Sequence, residues 1–112
     1  MKILITGGNG YLGARLSQFL SLNGFEVIVL SKSKVPYKND WTNLVSDILV
    51  GDLRDDKTFE KLSKYKFDFV IHLASLDRYN SELDYLNALN VNVKPLWRLL
   101  ENFSKERIKN FI

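Results

Sequence analysis

The stretch Met1-Lys2-Ile3-Leu4-Ile5-Thr6-Gly7-Gly8-Asn9-Gly10-Tyr11-Leu12-Gly13 decides how this chain is read. The apolar run Ile3–Ile5 stops at Thr6, glycines follow at 7, 8, 10 and 13, and a helical pattern then begins. That order predicts a buried strand, a tight glycine turn and a helix N-terminus. Such a turn lets backbone N–H groups come close to a phosphate, and the positive end of the helix dipole favours the anion. Gly8, Gly10 and Gly13 fit G-x-G-x-x-G, while Gly7, Gly10 and Gly13 fit G-x-x-G-x-x-G behind Thr6. The implied ligand is a dinucleotide. A glycine-rich loop can also be only a tight turn, and the strand–turn–helix context argues against that blander reading. No Gly-Lys-Ser/Thr is present, which disfavours a P-loop for ATP or GTP.

Working outward, the helix is expected over 10–23, with Leu12, Leu16, Phe19 and Leu20 on one apolar face and Gly24 as its C-terminal cap. Phe25–Leu30 reads as a second strand, and 31–43 as a polar loop broken by Pro36. A third strand is expected over 47–51, then a short helix capped by Asp55 or Asp56 that uses Phe59 and Leu62 and ends near Lys64. Phe67–Leu73 is the fourth strand, followed by a loop over 74–80. Ser81 is expected to cap a long amphipathic helix carrying Leu83, Leu86, Leu89, Val93, Leu96, Leu99 and Leu100, with an irregularity at Pro95. Asn110-Phe111-Ile112 looks like the beginning of a fifth strand.

Strands alternating with helices imply parallel strands and right-handed crossovers. The fold class is therefore α/β, a Rossmann-type doubly wound parallel sheet reaching the start of its fifth strand, with 1–112 forming one domain. Strand four is expected inside the sheet with strand five beside it. A chain stopping there is expected to leave an unpaired apolar edge and only marginal stability. Ligands in such sheets bind at the carboxyl ends of the strands. Here those ends are 6–13, 31–32, 51–53 and 73–75.

Length and composition set limits. The 112 residues suffice for one domain and one modest core, and 46% hydrophobic with 26% charged residues is ordinary globular composition. No apolar run approaches the ~20 residues of a membrane span, and the opening strand is not a signal peptide, so no membrane partner is expected. The absence of cysteine excludes thiolate chemistry and agrees with a cytoplasmic location. The net charge of +3 is too small and scattered to argue for nucleic acid. Lys105, Arg107 and Lys109 suit a helix C-terminus, whereas Lys32, Lys34 and Lys38 fall where a dinucleotide would lie.

Three further motifs bear on the ligand. A carboxylate ~20 residues after the glycines would bind both ribose hydroxyls of NAD. Ser31 stands there instead, followed by Lys32. A carboxylate repels a 2′-phosphate, while a hydroxyl and a lysine accept one, so NADP is favoured over NAD. Lys32 and Lys34 also fit the plainer role of solvated loop charges. In Gly51-Asp52-Leu53-Arg54-Asp55, Asp52 is an acceptor placed for an adenine amino group, or the head of an Asx turn. In Val70-Ile71-His72-Leu73-Ala74-Ser75 the small residues allow close approach of a ribose. His72, the one histidine, reads as a hydrogen-bonded structural residue rather than an acid–base catalyst.

Taken together, Thr6–Gly13, Gly51–Asp55, His72–Ser75 and Asn92-Val93 resemble the extended short-chain dehydrogenase/reductase family, in its NAD(P)-dependent epimerase/dehydratase branch. The resemblance covers the whole chain. It implies that Gly7, Gly10, Tyr11, Leu12 and Gly13 hold the pyrophosphate and that Asp52 and Leu53 contact adenine. It implies that Leu73, Ala74 and Ser75 line the path to the nicotinamide, and that Asn92 reaches the cofactor or fixes the neighbouring loop. The implied substrate is a nucleotide sugar or related small molecule, met by the complete protein, of which a homodimer is one expectation. Two departures are local: Ser31 replaces the usual Asp of the NAD-using epimerases, and Pro95 stands where Gly often follows Asn-Val. The third is larger. The catalytic Tyr-x-x-x-Lys of the family is absent, since none of Tyr11, Tyr37, Tyr65, Tyr79 and Tyr85 has Lys four residues on. The expectation is thus the cofactor-binding N-terminal piece of an NAD(P)-dependent nucleotide-sugar epimerase, dehydratase or reductase, inactive by itself, with no catalytic residue of its own. A non-catalytic NADP-binding regulatory module of the atypical short-chain group is the alternative.

Overall fold

The computed structural model describes residues 1–33, 40–76, 78–104 and 108–112. Lys34, Pro36, Lys38, Lys105 and Arg107, singled out above, lie outside the described residues. Five strands, β1 (Lys2–Thr6), β2 (Glu26–Ser31), β3 (Asp47–Val50), β4 (Phe69–His72) and β5 (Asn110–Phe111), form one parallel sheet in the order β3-β2-β1-β4-β5. The described helices are α1 (Tyr11–Leu22), α2 (Asp56–Leu62), α3 (Arg78–Leu83), α4 (Tyr85–Ala88) and α5 (Lys94–Ser104). The doubly wound parallel sheet read from the sequence is the fold.

Strand geometry explains its two cores. Successive side chains point to opposite faces of a strand. Leu4, Ile28, Leu30 and Val70 therefore face one layer, where they meet Leu62 of α2 and Leu99 and Phe103 of α5. Ile3, Ile5, Val27 and Val29 face the other, where Ala14, Leu16 and Leu20 of α1 pack with Trp41. Trp41 lies in a single-turn 3-10 helix, Asp40–Asn43, inside the segment expected to be polar loop. β1 and β2 are covered on both faces, which is why Ile3–Ile5 and Val27–Leu30 are unbroken apolar runs.

α1 sits differently from its apolar pattern. Leu12 and Phe19, expected on the buried face, are 61% and 62% exposed, and the buried positions are Gly13 and Ser17. The cause is proximity: a Cβ on Gly13 would lie 2.4 Å from the Gly7 carbonyl oxygen, so the helix meets the turn along its smallest residues. Ser17 turns its hydroxyl back onto the Gly13 carbonyl at 2.7 Å, which satisfies it in the dry contact. Gly24 does cap the helix. Its φ is +83°, and the Gly24 and Phe25 N–H groups donate to Ser21 and Leu20, the Schellman arrangement.

The long C-terminal helix is also corrected. Ser81 lies within α3 instead of capping a continuous helix, and Asp84 caps α4, its Oδ1 accepting the Asn87 N–H at 3.0 Å. A π-helical turn over Leu89–Val93 then leads into α5, with the Lys94 N–H donating to the Leu89 carbonyl. The irregularity stands where Pro95 predicts one, because proline has no N–H to continue the ladder. Of the expected apolar face only Leu99 is buried; Leu83, Leu86, Leu89, Val93, Leu96 and Leu100 are exposed. Asp55 occupies the N-cap position of α2 without a side-chain capping bond. β4 does lie inside the sheet with β5 beside it, and its edge is not left open. Bonds from the Ile112 N–H to Val70 and from the His72 N–H to Ile112 extend the pairing beyond β5.

Candidate cofactor site

A cavity of about 340 Å³ opens at the carboxyl ends of β1, β2, β3 and β4. Gly7, Asn9 and Gly10 form one side, and Leu30, Ser31, Lys32 and Ser33 follow from β2. Gly51, Asp52, Leu53 and Arg54 come from the end of β3, and Leu73, Ala74 and Ser75 from the end of β4. Val91 of the π-helical turn and Pro95 of α5 close the wall. Nine of the thirteen sequence-selected residues thus meet there: Gly7, Gly10, Ser31, Lys32, Asp52, Leu53, Leu73, Ala74 and Ser75.

The glycine turn is a cradle that tolerates no side chain. Gly7 has φ +71°, and a Cβ on it would fall 2.7 Å from the Ala74 nitrogen. Its own N–H donates to the Leu30 carbonyl at 2.9 Å, and the Gly10 N–H returns to the Gly7 carbonyl at 3.0 Å. Gly10 is the N-cap of α1 and brings no side chain to cap it. The first-turn N–H groups, left over in any helix, therefore face outward with the positive end of the dipole behind them. This suits a pyrophosphate. Tyr11, Leu12 and Gly13 do not line the cavity. The Tyr11 ring is exposed and carries the Arg15 guanidinium 4.4 Å above it.

Thr6 ties this turn to β4, a role the sequence reading did not foresee. Its hydroxyl accepts the Ala74 N–H at 3.3 Å and lies 2.6 Å from His72 Nδ1. Burial lowers the His72 pKa from its ordinary value, which favours the neutral ring, hydrogen-bonded to the Thr6 hydroxyl through Nδ1. This is the structural role expected of His72. Asn92 fixes the neighbouring loop: its Oδ1 accepts the Leu76 N–H at 2.6 Å, and it does not line the cavity.

The β3 side is built from charge. Arg54 places Nη2 2.6 Å from Asp52 Oδ2 and Nε 3.0 Å from Oδ1, and its backbone N–H reaches Oδ1 at 2.9 Å. Lys32 Nζ stands 3.8 Å from Asp52 Oδ2. The Arg54 hydrogen bonds hold the Asp52 carboxyl down to about 2, below its usual range. Arg54 was passed over in the sequence, although an arginine two residues after an acceptor at a strand end was the available signal. Ser31 is buried and spends its hydroxyl on the Ser33 carbonyl at 2.9 Å, leaving Lys32 as the exposed group. No cluster of three metal-ligating side chains occurs among the described residues, and none of their helices is long and apolar enough to cross a membrane.

Comparison with known proteins agrees with this geometry. The model of the NAD dependent epimerase/dehydratase family matches residues 3–112. The UDP-glucose 4-epimerase of Yersinia pestis is 30% identical over 123 aligned positions, covering 100% of this chain and 36% of its own length. The UDP-glucose 4-epimerase of Thermotoga maritima, solved with UDP-glucose, superposes with a TM-score of 0.86 at 28% identity, over 99% of this chain and 36% of that one. The Thermus thermophilus UDP-glucose 4-epimerase, solved with NAD, gives a TM-score of 0.84 at 25% identity, again over 99% and 36%. The chain spans about a third of the length of each of these three relatives.

Proposed function

The chain belongs to the NAD dependent epimerase/dehydratase family, and from that premise we propose that it is the cofactor-binding part of a nucleotide-sugar epimerase or dehydratase. The observation that carries this is the glycine cradle: four strand ends converge on a cavity whose floor excludes even a Cβ at Gly7. Gly7, Gly10 and the first-turn amides of Tyr11, Leu12 and Gly13 would hold the pyrophosphate. Asp52 and Leu53 would receive the adenosine end, and Leu73, Ala74 and Ser75 the nicotinamide end. When bound, the nicotinamide accepts or returns a hydride. The residues of this chain grip and orient it; the Tyr-x-x-x-Lys pair that would move the substrate proton is not among its 112 residues. A nucleotide sugar as substrate is supported by the Thermotoga relative solved with UDP-glucose. A homodimer belongs to the same reading, supported by the exposed apolar stripe from Leu86 to Leu100.

The cofactor preferred in this reading is NADP. Two features support it: β2 ends in Ser31 rather than a carboxylate, and the exposed Lys32 lines the cavity. Titration with NADPH and NADH, read as energy transfer from Trp41 and Trp97, tests both levels. NADPH should bind more tightly, and Lys32→Ala should remove about tenfold of its affinity while sparing NADH. A preference for NADH would overturn the choice of NADP. Binding of neither would overturn the cofactor site.

A further inference from the structure

We propose that Arg98 is a positioning residue of this site: from α5 it holds the β3–α2 turn in the place that Asp52 and Leu53 need to meet the adenosine end of the cofactor. The inference rests on the reading of the cavity as an NAD(P) site. Its basis is a reciprocal exchange of two arginines. Arg98 Nη1 donates to the Arg54 carbonyl at 3.2 Å, and Nη2 donates to Asp56 Oδ1 at 2.5 Å. The face of the same guanidinium lies 4.1 Å over the Phe59 ring. In return, Arg54 Nη1 reaches out of the turn to Asn87 Oδ1 on α4 at 3.3 Å.

The two partners of this brace are 44 positions apart in the chain: Arg54 lines the cavity, and Arg98 stands behind its wall on the helix that contributes Pro95. The turn supplies Asp52 and Leu53; the helical side supplies Val91 and Pro95. From its own side the turn is held by the Gly51 N–H on Ser31 and by the Thr58 hydroxyl on the Asp52 carbonyl. Those bonds fix its root. Arg98 grips its far end, at Arg54 and Asp56. A planar guanidinium can serve a carbonyl, a carboxylate and a ring face at once, which an ammonium cannot. The Asp56 side chain is 88% exposed, and an ion pair so wet adds little to stability. What the brace contributes is placement.

The test is calorimetric titration of the full chain with ADP-ribose, which carries the adenosine and pyrophosphate without the nicotinamide, alongside thermal melts. Arg98→Ala should weaken ADP-ribose about tenfold, and Arg98→Lys should weaken it nearly as much because the charge alone does not span both partners. In an Asp52→Asn background the same Arg98→Ala change should have little further effect, since the residue it positions is already altered. Should Arg98→Ala not fold, Arg98→Lys and Asp56→Asn answer in its place. Wild-type chain that fails to bind ADP-ribose removes the cofactor-site reading itself. Wild-type binding with unchanged affinity in folded Arg98 variants overturns this inference alone. So does a loss that is fully additive with Asp52→Asn, which would mark Arg98 as a general support of the fold.

Discussion

The turn after β1 and the turn after β3 face the same cavity, and they are held by opposite means. At the first, the Ala74 backbone fills the space where a Gly7 Cβ would stand, and the turn is fixed by backbone bonds with the Thr6 hydroxyl as its side-chain tie to β4. At the second, Asp52 gathers Arg54 and Lys32, and Arg54 extends to Asn87. The first wall works by leaving side chains out. The second works by pairing charged side chains in water. Backbone contacts are unaffected by salt or pH, whereas exposed ion pairs are screened and titrate. The difference suits the two jobs proposed above: a grip on a pyrophosphate at the first turn, and a charged wall beside the adenosine end at the second.

The sharpest way to break the comparison is Gly13→Ala. The new methyl would lie 2.4 Å from the Gly7 carbonyl oxygen and 2.7 Å from the Gly8 Cα, and these are backbone atoms that cannot swing aside. The expected loss is about 3 kcal/mol in denaturant unfolding, at the upper end for overpacking, together with loss of cofactor binding. An alanine variant of native stability would show that this wall is not closed by steric exclusion.

Thr6→Val asks how far the backbone wall relies on a single hydroxyl. The substitution keeps the shape but leaves the Ala74 N–H and His72 Nδ1 without their shared partner. The cost expected in chemical denaturation is about 1–2 kcal/mol. The pH dependence has a definite sign. Burial lowers the His72 pKa, so the folded state binds fewer protons than the unfolded chain. The contribution is full above the unfolded value of about 6.5 and is lost as pH falls through the lower folded value. A stability curve flat from neutrality down to pH 5 would remove His72 from the account.

Gly24→Ala provides the control that separates steric exclusion from backbone strain. Gly24 shares a positive φ with Gly7, +83° against +71°, but nothing lies within 4 Å of the position its Cβ would take. Only the left-handed conformation is penalised, at about 1 kcal/mol, and ligand affinity should not change.

The two walls were also unequally legible. The glycine turn could be read because its requirements are local: a strand, small residues at fixed spacing, and a helix start. The alternation of strands and helices likewise dictated the doubly wound sheet, and Pro95 announced the irregularity realised as the π-helical turn. The β3 wall could be read only as far as Asp52. Beyond it, Arg54 reaches Asn87 33 positions away and Arg98 reaches Arg54 44 positions away, and no periodicity connects them. Helical periodicity misled at α1, because a stripe of leucine and phenylalanine looks like a core face. The close approach to the turn instead selected Gly13 and Ser17. The break before α4 was readable and was missed: Asp84, three residues before Asn87, is an N-cap signal within a run of leucines.

The smallest effect falls on the charged wall and tests its physical nature most directly. Arg54 holds the Asp52 carboxyl at about 2, against an ordinary 3.8. Between those values the folded state binds fewer protons than the unfolded chain. Whatever stability the pair contributes is therefore complete above about pH 4 and lost as pH falls toward 2. Because the site is open to water, that stability is small, and the informative quantity is the titration midpoint. Carboxyl-carbon NMR should place Asp52 near 2 in low salt and higher in concentrated salt, as the exposed charges are screened. Arg54→Ala should return the midpoint part of the way to its ordinary value, leaving the backbone N–H of residue 54 and, below it, Lys32 as the remaining influences. A midpoint that stays near 2 without the guanidinium would mean that the backbone donor of residue 54, and not the charged side chain, holds this carboxylate. The two walls would then differ in composition but not in kind.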